Sequence, residues 1–134
     1  MKPIRVLIAD DHDLFAEAIA AILAAEGLEV VAHARDGVEA VELTNRHRPD
    51  VVLMDVHMPR MDGVEATRRL RPTPVVMVSS SSEPSDVARA CRAGARAYLV
   101  KDSLPGELVE TLRKVFLPPV APVCGAGATA LLAN

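Results

Sequence analysis

The stretch that decides the fold is Val51–Gly63, which reads VVLMDVHMPRMDG. Its first four residues form an apolar run of the length expected for a buried strand, and the run ends at the carboxylate of Asp55. Pro59, whose ring fixes φ, and the Asp62-Gly63 pair then predict a shaped loop. An apolar run more often ends in a turn than in a charge, so the position of this carboxylate needs a reason.

Similar short runs, rich in β-branched residues, recur along the chain and are separated by longer segments with helical spacing. Strands that alternate with helices indicate βαβ units and a parallel sheet. Strands covered on both faces read as continuous apolar runs, as these do. We predict five strands and five helices, the third helix over about Gly63–Leu70 and the fifth over Leu104–Phe116. The other four runs are Ile4–Ala9, Leu28–Ala34, Pro74–Val78 and Ala97–Val100.

The segment after the first run carries two adjacent apolar stripes that recur every four residues, which indicates a helix. The stripes are Leu14, Ala18 and Ile22, and, one position on, Phe15, Ile19 and Leu23.

Length and composition limit the class of protein. A chain of 134 residues suits one domain. Half of its residues are hydrophobic and only 2% are aromatic, so the core must be aliphatic. The net charge of −3 does not favour a nucleic-acid surface, which is usually basic. The N-terminus has no apolar segment long enough for a signal peptide or a membrane span, so we expect a cytoplasmic protein without a membrane partner.

Polar residues follow four of the five predicted strands. Asp10-Asp11 comes after the first, Asp55 after the third, Ser79 after the fourth and Lys101 after the fifth. Ligands of open parallel sheets bind outside the carboxyl ends of the strands, so these groups should converge at one edge. Clustered carboxylates repel and need a cation, and an all-oxygen site suits Mg²⁺. The lysine and the hydroxyl suit a second anion, such as a phosphoryl group carried by an aspartate.

These motifs, in this order, resemble the receiver domain of a two-component response regulator. The matching elements are Asp10-Asp11, Asp55 followed by MPRMDG, Ser79, and GARAYLVKD with Lys101, which lies 22 residues after Ser79. The resemblance covers roughly Ile4 to Phe116. It implies a (βα)₅, flavodoxin-like, doubly wound parallel sheet with strand order 2-1-3-4-5. CRAGARAYLVKD is similar to the NarL/FixJ-like regulators, which carry a helix-turn-helix output domain.

The resemblance also implies a role for each acid at the sheet edge. Asp55 matches the phosphoacceptor, which explains why it ends a strand: a rigid element presents it to metal and phosphate. Asp11 and Asp10 match the acids that bind Mg²⁺, with Mn²⁺ as an alternative metal. The backbone carbonyl of His57 matches a further metal ligand. Read without the resemblance, Asp10 and Asp11 could simply cap the first helix.

The remaining roles concern the phosphoryl group and the switch. Lys101 matches the phosphate-binding lysine, and Ser79 matches the switch hydroxyl, here serine where threonine is common. Tyr98, the single tyrosine, matches the aromatic switch residue, with plain packing as the alternative. The other histidines, His12, His33 and His47, show no ligand spacing, and we assign them no role.

The chain departs from the family pattern in two places. Asp55 and Ser79 are only 24 residues apart, which predicts a trimmed third helix or exit loop, and RPTPVVMVSS there resembles chemotaxis methylesterases. After Lys114 no charged residue follows. We therefore predict a receiver domain over residues 1–116 and an uncharged, linker-like and loosely ordered tail over 117–134.

Three functional hypotheses follow. The first is a receiver that accepts a phosphoryl group from a sensor histidine kinase or phosphotransfer protein and switches a protein-interaction surface, with a homodimer expected on phosphorylation. The second is the receiver part of a transcriptional regulator whose DNA-binding domain is missing from this chain, which itself binds no nucleic acid. The third, an enzyme that turns over substrate, lacks a second catalytic module. We therefore predict a phosphoacceptor with slow self-catalysed phosphorylation and dephosphorylation, not an enzyme.

Overall fold

The protein folds into a five-stranded parallel sheet with helices on both faces, as seen in a computed structural model that describes residues 2–115. The strand order is β2-β1-β3-β4-β5, which confirms the predicted flavodoxin-like order. The strands are β1 (Arg5–Ala9), β2 (Glu29–Ala34), β3 (Val51–Asp55), β4 (Val75–Ser79) and β5 (Ala97–Val100). The helices are α1 (Asp13–Ala25), α2 (Gly37–His47), α3 (Gly63–Leu70), α4 (Pro84–Ala93) and α5 (Leu108–Lys114), and a short 3₁₀ turn covers Lys101–Ser103.

Successive residues of the central strands enter two separate cores because side chains alternate across a sheet. On one face, Leu7, Val52 and Met77 pack with residues of α2, α3 and α4. On the other face, Ile8 and Leu53 pack with residues of α1 and α5. Every residue of β3 and β4 is buried. The two strands that carry Asp55 and Ser79 are therefore held rigidly from both sides.

Only one of the two stripes on α1 faces the core. Ile19 and Leu23 are buried and Phe15 is partly buried, so this stripe packs on the sheet. Leu14, of the other stripe, is 83% exposed. Within residues 2–115 it is the one large hydrophobic side chain classed as exposed.

The fifth helix begins later than its apolar spacing predicts. It starts at Leu108, not at Leu104, and the intervening residues include Pro105 and Gly106. Proline has no N–H for the helical ladder and glycine loses the most entropy on ordering, so this pair delays the helix. Residues 104–107 form a turn instead, directly after the 3₁₀ turn over Lys101–Ser103.

The trimmed region between α3 and β4 is closed by an arginine. Four residues, 71–74, connect the two elements. The Arg71 guanidinium donates to the carbonyl oxygens of Ala93 (Nε, 2.8 Å) and Arg92 (Nη2, 2.8 Å), at the C-terminal end of α4. Those carbonyls have no partner within their own helix, so the arginine satisfies them. The short connection therefore still ties α3 to α4.

The tail and the last predicted residue of the fifth helix, Phe116, lie outside the described residues, so the proposed boundary after residue 116 stays a prediction. Across residues 2–115, none of the helices combines the length and the apolar character that crossing a bilayer would need.

Candidate functional site

The predicted polar groups meet at the carboxyl edge of the sheet. Asp10 directly follows β1, Asp55 and Ser79 are the last residues of β3 and β4, and Lys101 directly follows β5. The exposed fractions of Asp10, Asp55 and Ser79 are 2%, 5% and 1%. Lys101 Nζ lies 2.8 Å from Asp10 Oδ2 and 3.7 Å from Asp55 Oδ2. Burial of this many polar groups is costly unless they pair, and the lysine provides one such pairing.

Strand register sets the position of Asp55. In the parallel ladder Asp55 lies beside Val78, and Ser79 lies beside Val100, one step further along. The carboxylate and the hydroxyl therefore leave neighbouring strands at nearly the same height. The loop after Asp55 then turns back, with the Gly63 amide donating to the carbonyl oxygen of Val56 at 2.8 Å.

This loop packs so closely on β3 that Gly63 admits no side chain. A Cβ there would collide with the backbone carbonyl oxygen of Asp55. Asp62 caps α3 by accepting a hydrogen bond from the Glu65 amide at 2.9 Å. In the Asp-Gly pair of the sequence, Asp62 thus caps the helix, and Gly63 lets the loop approach the backbone of Asp55 closely.

A second anchor holds the loop against α2. Arg60 adopts a positive φ of 65° and its guanidinium pairs with Asp36 Oδ2, at 2.9 Å from Nε and 2.8 Å from Nη2. Beside this pair the Gly37 amide donates to the Met61 carbonyl oxygen at 2.9 Å. The hydrogen bonds and the ion pair lower the pKa of Asp36, against a desolvation by burial that would raise it. The loop after Asp55 is therefore fixed at both ends.

The electrostatics of the pocket favour a cation. Burial, first, and the negative charge of Asp10, second, raise the pKa of Asp55 to about 6, and Asp11 adds to the rise. Lys101 and a hydrogen bond from the His57 backbone amide act in the opposite direction but do not cancel the rise. A carboxylate that is harder to ionise than usual lacks compensating positive charge. A bound divalent ion would supply that charge.

The donor atoms are also arranged for a metal. One ligand atom from each of Asp10, Asp11, His12 and Asp55 can lie within 4.8 Å of the others. Three carboxylates fit Mg²⁺, which takes oxygen ligands and keeps several waters. The N-cap residue of α1 is His12, so neither Asp10 nor Asp11 occupies the capping position considered from the sequence. The role predicted for the His57 carbonyl remains a prediction.

Ser79 and Tyr98 are linked through the loop that follows β4. Ser79 Oγ accepts a hydrogen bond from the Ser81 amide at 3.1 Å, and the Tyr98 hydroxyl donates to the Ser81 carbonyl oxygen at 2.7 Å. The Tyr98 side chain is fully buried, and burial raises its pKa. Ser79 and Tyr98 thus bind the backbone amide and the backbone carbonyl of the same residue, Ser81.

Two neighbours of the site were not predicted from the sequence. His12 Nδ1 lies 3.0 Å from Asp10 Oδ1 and 3.3 Å from Asp11 Oδ1. The Phe15 ring lies under Lys101, with Nζ 4.4 Å from the ring centroid, a cation–π distance. Its position directly after two acids at a strand end is the sequence signal that could have identified His12.

Comparison with known proteins identifies the family. Residues 6–113 match the family model of the response regulator receiver domain. The chain is 45% identical over 113 residues to the transcriptional regulatory protein PdtaR of Mycobacterium tuberculosis H37Rv, covering 82% of this chain and 55% of that protein. It is 51% identical over 106 residues to protein-glutamate methylesterase/protein-glutamine glutaminase 4 of Myxococcus xanthus, covering 74% of this chain and 30% of that protein. It therefore spans about half, or less, of the length of these curated relatives.

A solved structure agrees with both the fold and the predicted subgroup. The receiver domain of the putative response regulator NarL from Mycobacterium tuberculosis superposes with a TM-score of 0.81 at 38% identity, covering 84% of this chain and 95% of that one. The predicted similarity to NarL-like regulators is thus confirmed. The matched span reaches from β1 into α5, and the chain belongs to the response regulator receiver domain family.

Proposed function

We propose that this receiver accepts a phosphoryl group on Asp55, in the presence of Mg²⁺, from a histidine kinase or phosphotransfer protein. The observation that carries the proposal is the setting of Asp55. It is a buried carboxylate at a strand end, in one cluster with Asp10 and Asp11 and 3.7 Å from the Lys101 ammonium. A phosphorylated aspartate is a known form of covalent catalysis by a carboxylate.

The chemistry assigns one task to each group. An Asp55 carboxylate oxygen forms the new bond to phosphorus while the bond from phosphorus to the donor nitrogen breaks. Lys101, now paired with Asp10, can turn its ammonium toward the phosphoryl oxygens. When bound by Asp10, Asp11, Asp55 and the His57 carbonyl, Mg²⁺ or Mn²⁺ would neutralise charge on the transferring group. We expect the chain's own turnover of this phosphoryl group to be slow, as suits a switch.

The output would pass through Ser79. If its hydroxyl moves toward the phosphoryl oxygens, it gives up the hydrogen bond from the Ser81 amide. Ser81 then shifts, and its carbonyl carries the Tyr98 hydroxyl with it. Because Tyr98 is already buried without a phosphoryl group, phosphorylation would stabilise an arrangement that the chain can already populate.

The loop after Asp55 offers a second connection, which runs to α4. His57 Nε2 lies 3.7 Å from Asp86 Oδ2, and Arg89 Nη2 lies 3.4 Å from Asp62 Oδ2. Asp86 and Arg89 belong to α4. Such partly exposed pairs contribute little free energy each, so they would adjust without unfolding the helix.

We place the protein in the cytoplasm, where a histidine kinase or phosphotransfer protein would act as the phosphoryl donor. We expect a homodimer on phosphorylation but no direct contact of this chain with nucleic acid.

A second candidate is the receiver part of a transcriptional regulator. It is favoured by the relative PdtaR, named a transcriptional regulatory protein, of which this chain covers 55%. Both candidates require the same chemistry at Asp55. They differ in the output, which would be a protein contact in the first and control of a DNA-binding domain in the second.

Intact-mass spectrometry after incubation with acetyl phosphate and Mg²⁺ tests the chemistry. We expect one acid-stable, base-labile phosphoryl group on the parent and none on Asp55→Asn. Asp102→Asn, which changes an exposed acid close to the pocket, is the matched control and should be labelled like the parent. Equal labelling of Asp55→Asn would reject the assignment of the phosphoacceptor.

A further inference from the structure

We infer that His12 is a nitrogen ligand of the acid pocket, and that the pocket therefore binds nitrogen-preferring divalent ions such as Ni²⁺ and Co²⁺ as well as Mg²⁺. The inference rests on the proposed metal site and names a residue that sets which metals the site selects.

The distances around His12 fit metal ligation. In an octahedral site with bonds of about 2.1 Å, neighbouring ligand atoms are about 3.0 Å apart. His12 Nδ1 lies 3.0 Å from Asp10 Oδ1 and 3.3 Å from Asp11 Oδ1. Asp55 completes a group whose ligand atoms all fall within 4.8 Å. Without an ion, the contact of Nδ1 with Asp10 is a hydrogen bond, which the imidazole would exchange for a bond to the metal at the edge of the site built from the two acids.

The backbone also directs His12 to this place. As N-cap residue of α1 it has an extended conformation, with φ −92° and ψ 96°, and its side chain caps no amide. Its own amide donates to Asp10 Oδ1 at 2.8 Å, which fixes the histidine next to the acid. The ring is 67% exposed, so it can rotate slightly to direct its lone pair at an ion.

The other histidines of the described residues are engaged elsewhere or lie apart from the cluster. His33 Nε2 is 2.8 Å from the Asp10 backbone oxygen, not from its carboxylate. His57 faces Asp86. Among residues 2–115, only His12 joins the acids in a potential metal group.

The imidazole ligand should change which metal ions the site prefers. Imidazole suits Zn²⁺, Cu²⁺ and Ni²⁺, whereas Mg²⁺ prefers oxygen. A site of carboxylates plus one imidazole should therefore gain affinity for the later transition metals over a site with carboxylates alone. Mg²⁺ should depend little on the histidine.

The test is titration calorimetry of the full, untagged chain with MgCl₂ and, separately, NiCl₂. His12→Asn removes the imidazole and places a good N-cap residue at the start of α1, and His12→Ala removes any side-chain ligand. We expect both to lower the Ni²⁺ affinity by about tenfold or more, because loss of even an outer-shell partner of a metal costs about 10–100-fold. The Mg²⁺ affinity should stay close to that of the parent. His47→Asn, which changes a histidine at the end of α2, should leave both affinities unchanged.

Two further measurements locate the ion. Asp11→Asn should weaken both metals, which places Ni²⁺ in the acid pocket. With Co²⁺, proton NMR of the parent should show a hyperfine-shifted imidazole resonance that is absent from His12→Asn. These readouts are independent of phosphorylation.

The outcomes separate the inference from the function on which it rests. Equal losses of Ni²⁺ and Mg²⁺ affinity in the His12 variants would show that the histidine only orients the acids, and would overturn the inference. Ni²⁺ binding that survives Asp11→Asn would overturn it too, since the ion would lie elsewhere. If the Mg²⁺ affinity depends on Asp11 but the Ni²⁺ affinity does not depend on His12, only the inference fails. If neither ion binds, the proposed metal site fails with it.

Discussion

Asp55→Asn should make the metal-free protein more stable at neutral pH, although it removes the proposed functional group. The substitution keeps the shape of the side chain and removes a negative charge that is buried among Asp10 and Asp11. In the parent, burial first and then the negative charges of Asp10 and Asp11 raise the pKa of Asp55 to about 6 from an ordinary value of 3.8. Ionisation of Asp55 is therefore less favourable in the native state than in the unfolded chain.

The magnitude and the pH window follow from this difference in pKa. A difference of one pKa unit corresponds to about 1.4 kcal/mol, so ionised Asp55 costs the fold up to about 3 kcal/mol. Below pH 4 both states hold the proton and the cost is absent. Between about pH 4 and pH 6 only the native state holds it, so the free energy of unfolding falls as pH rises. Above pH 6 the full cost is present.

Urea denaturation from pH 5 to pH 8 without divalent metal measures this cost. We expect Asp55→Asn to exceed the parent by about 1–3 kcal/mol at pH 8, within the limit set by the pKa, and the excess to shrink toward pH 5. Mg²⁺ should narrow the gap because it binds the parent more tightly. Asp102→Asn should match the parent throughout. A variant that is no more stable at pH 8, or an excess that does not depend on pH, would refute the charge argument.

Three further changes test how the site is built, each by urea denaturation. Tyr98→Phe, which removes the donor to the Ser81 carbonyl, should lower the free energy of unfolding by about 1 kcal/mol and leave phosphorylation nearly intact. An unchanged free energy of unfolding would mean that the tyrosine hydroxyl does not form this hydrogen bond. Gly63→Ala, which forces a Cβ against the Asp55 carbonyl, should lower the free energy of unfolding by about 1–3 kcal/mol and slow phosphorylation. A variant with the stability and phosphorylation rate of the parent would contradict the close packing. Arg71→Ala, which leaves two carbonyls at the end of α4 without their donor, should lower the free energy of unfolding by about 1 kcal/mol. Arg71→Lys should restore only part of this loss, and full restoration of the stability would argue against two separate hydrogen bonds.

The sequence by itself determined the architecture and the edge at which the site would lie. Strand and helix periods alternate five times, and each predicted strand agrees with the structure to within one residue at either end. Because parallel strands all end at one edge, the chain positions of Asp10, Asp55, Ser79 and Lys101 were enough to predict that they converge. These features depend on local spacing and on the chirality of βαβ connections, both of which can be read along the chain.

Only the tertiary structure decided matters that depend on distances between residues remote in sequence. Both stripes of α1 have helical spacing, and only packing against the sheet shows that Phe15 turns inward and Leu14 outward. The raised pKa of Asp55 depends on how deeply its neighbours bury it and on the negative charges of Asp10 and Asp11 beside it. His12 joins the acids because its backbone turns there out of β1 into α1. Side-chain contacts, burial and charge coupling change over a few ångströms, a scale that spacing in the sequence does not resolve.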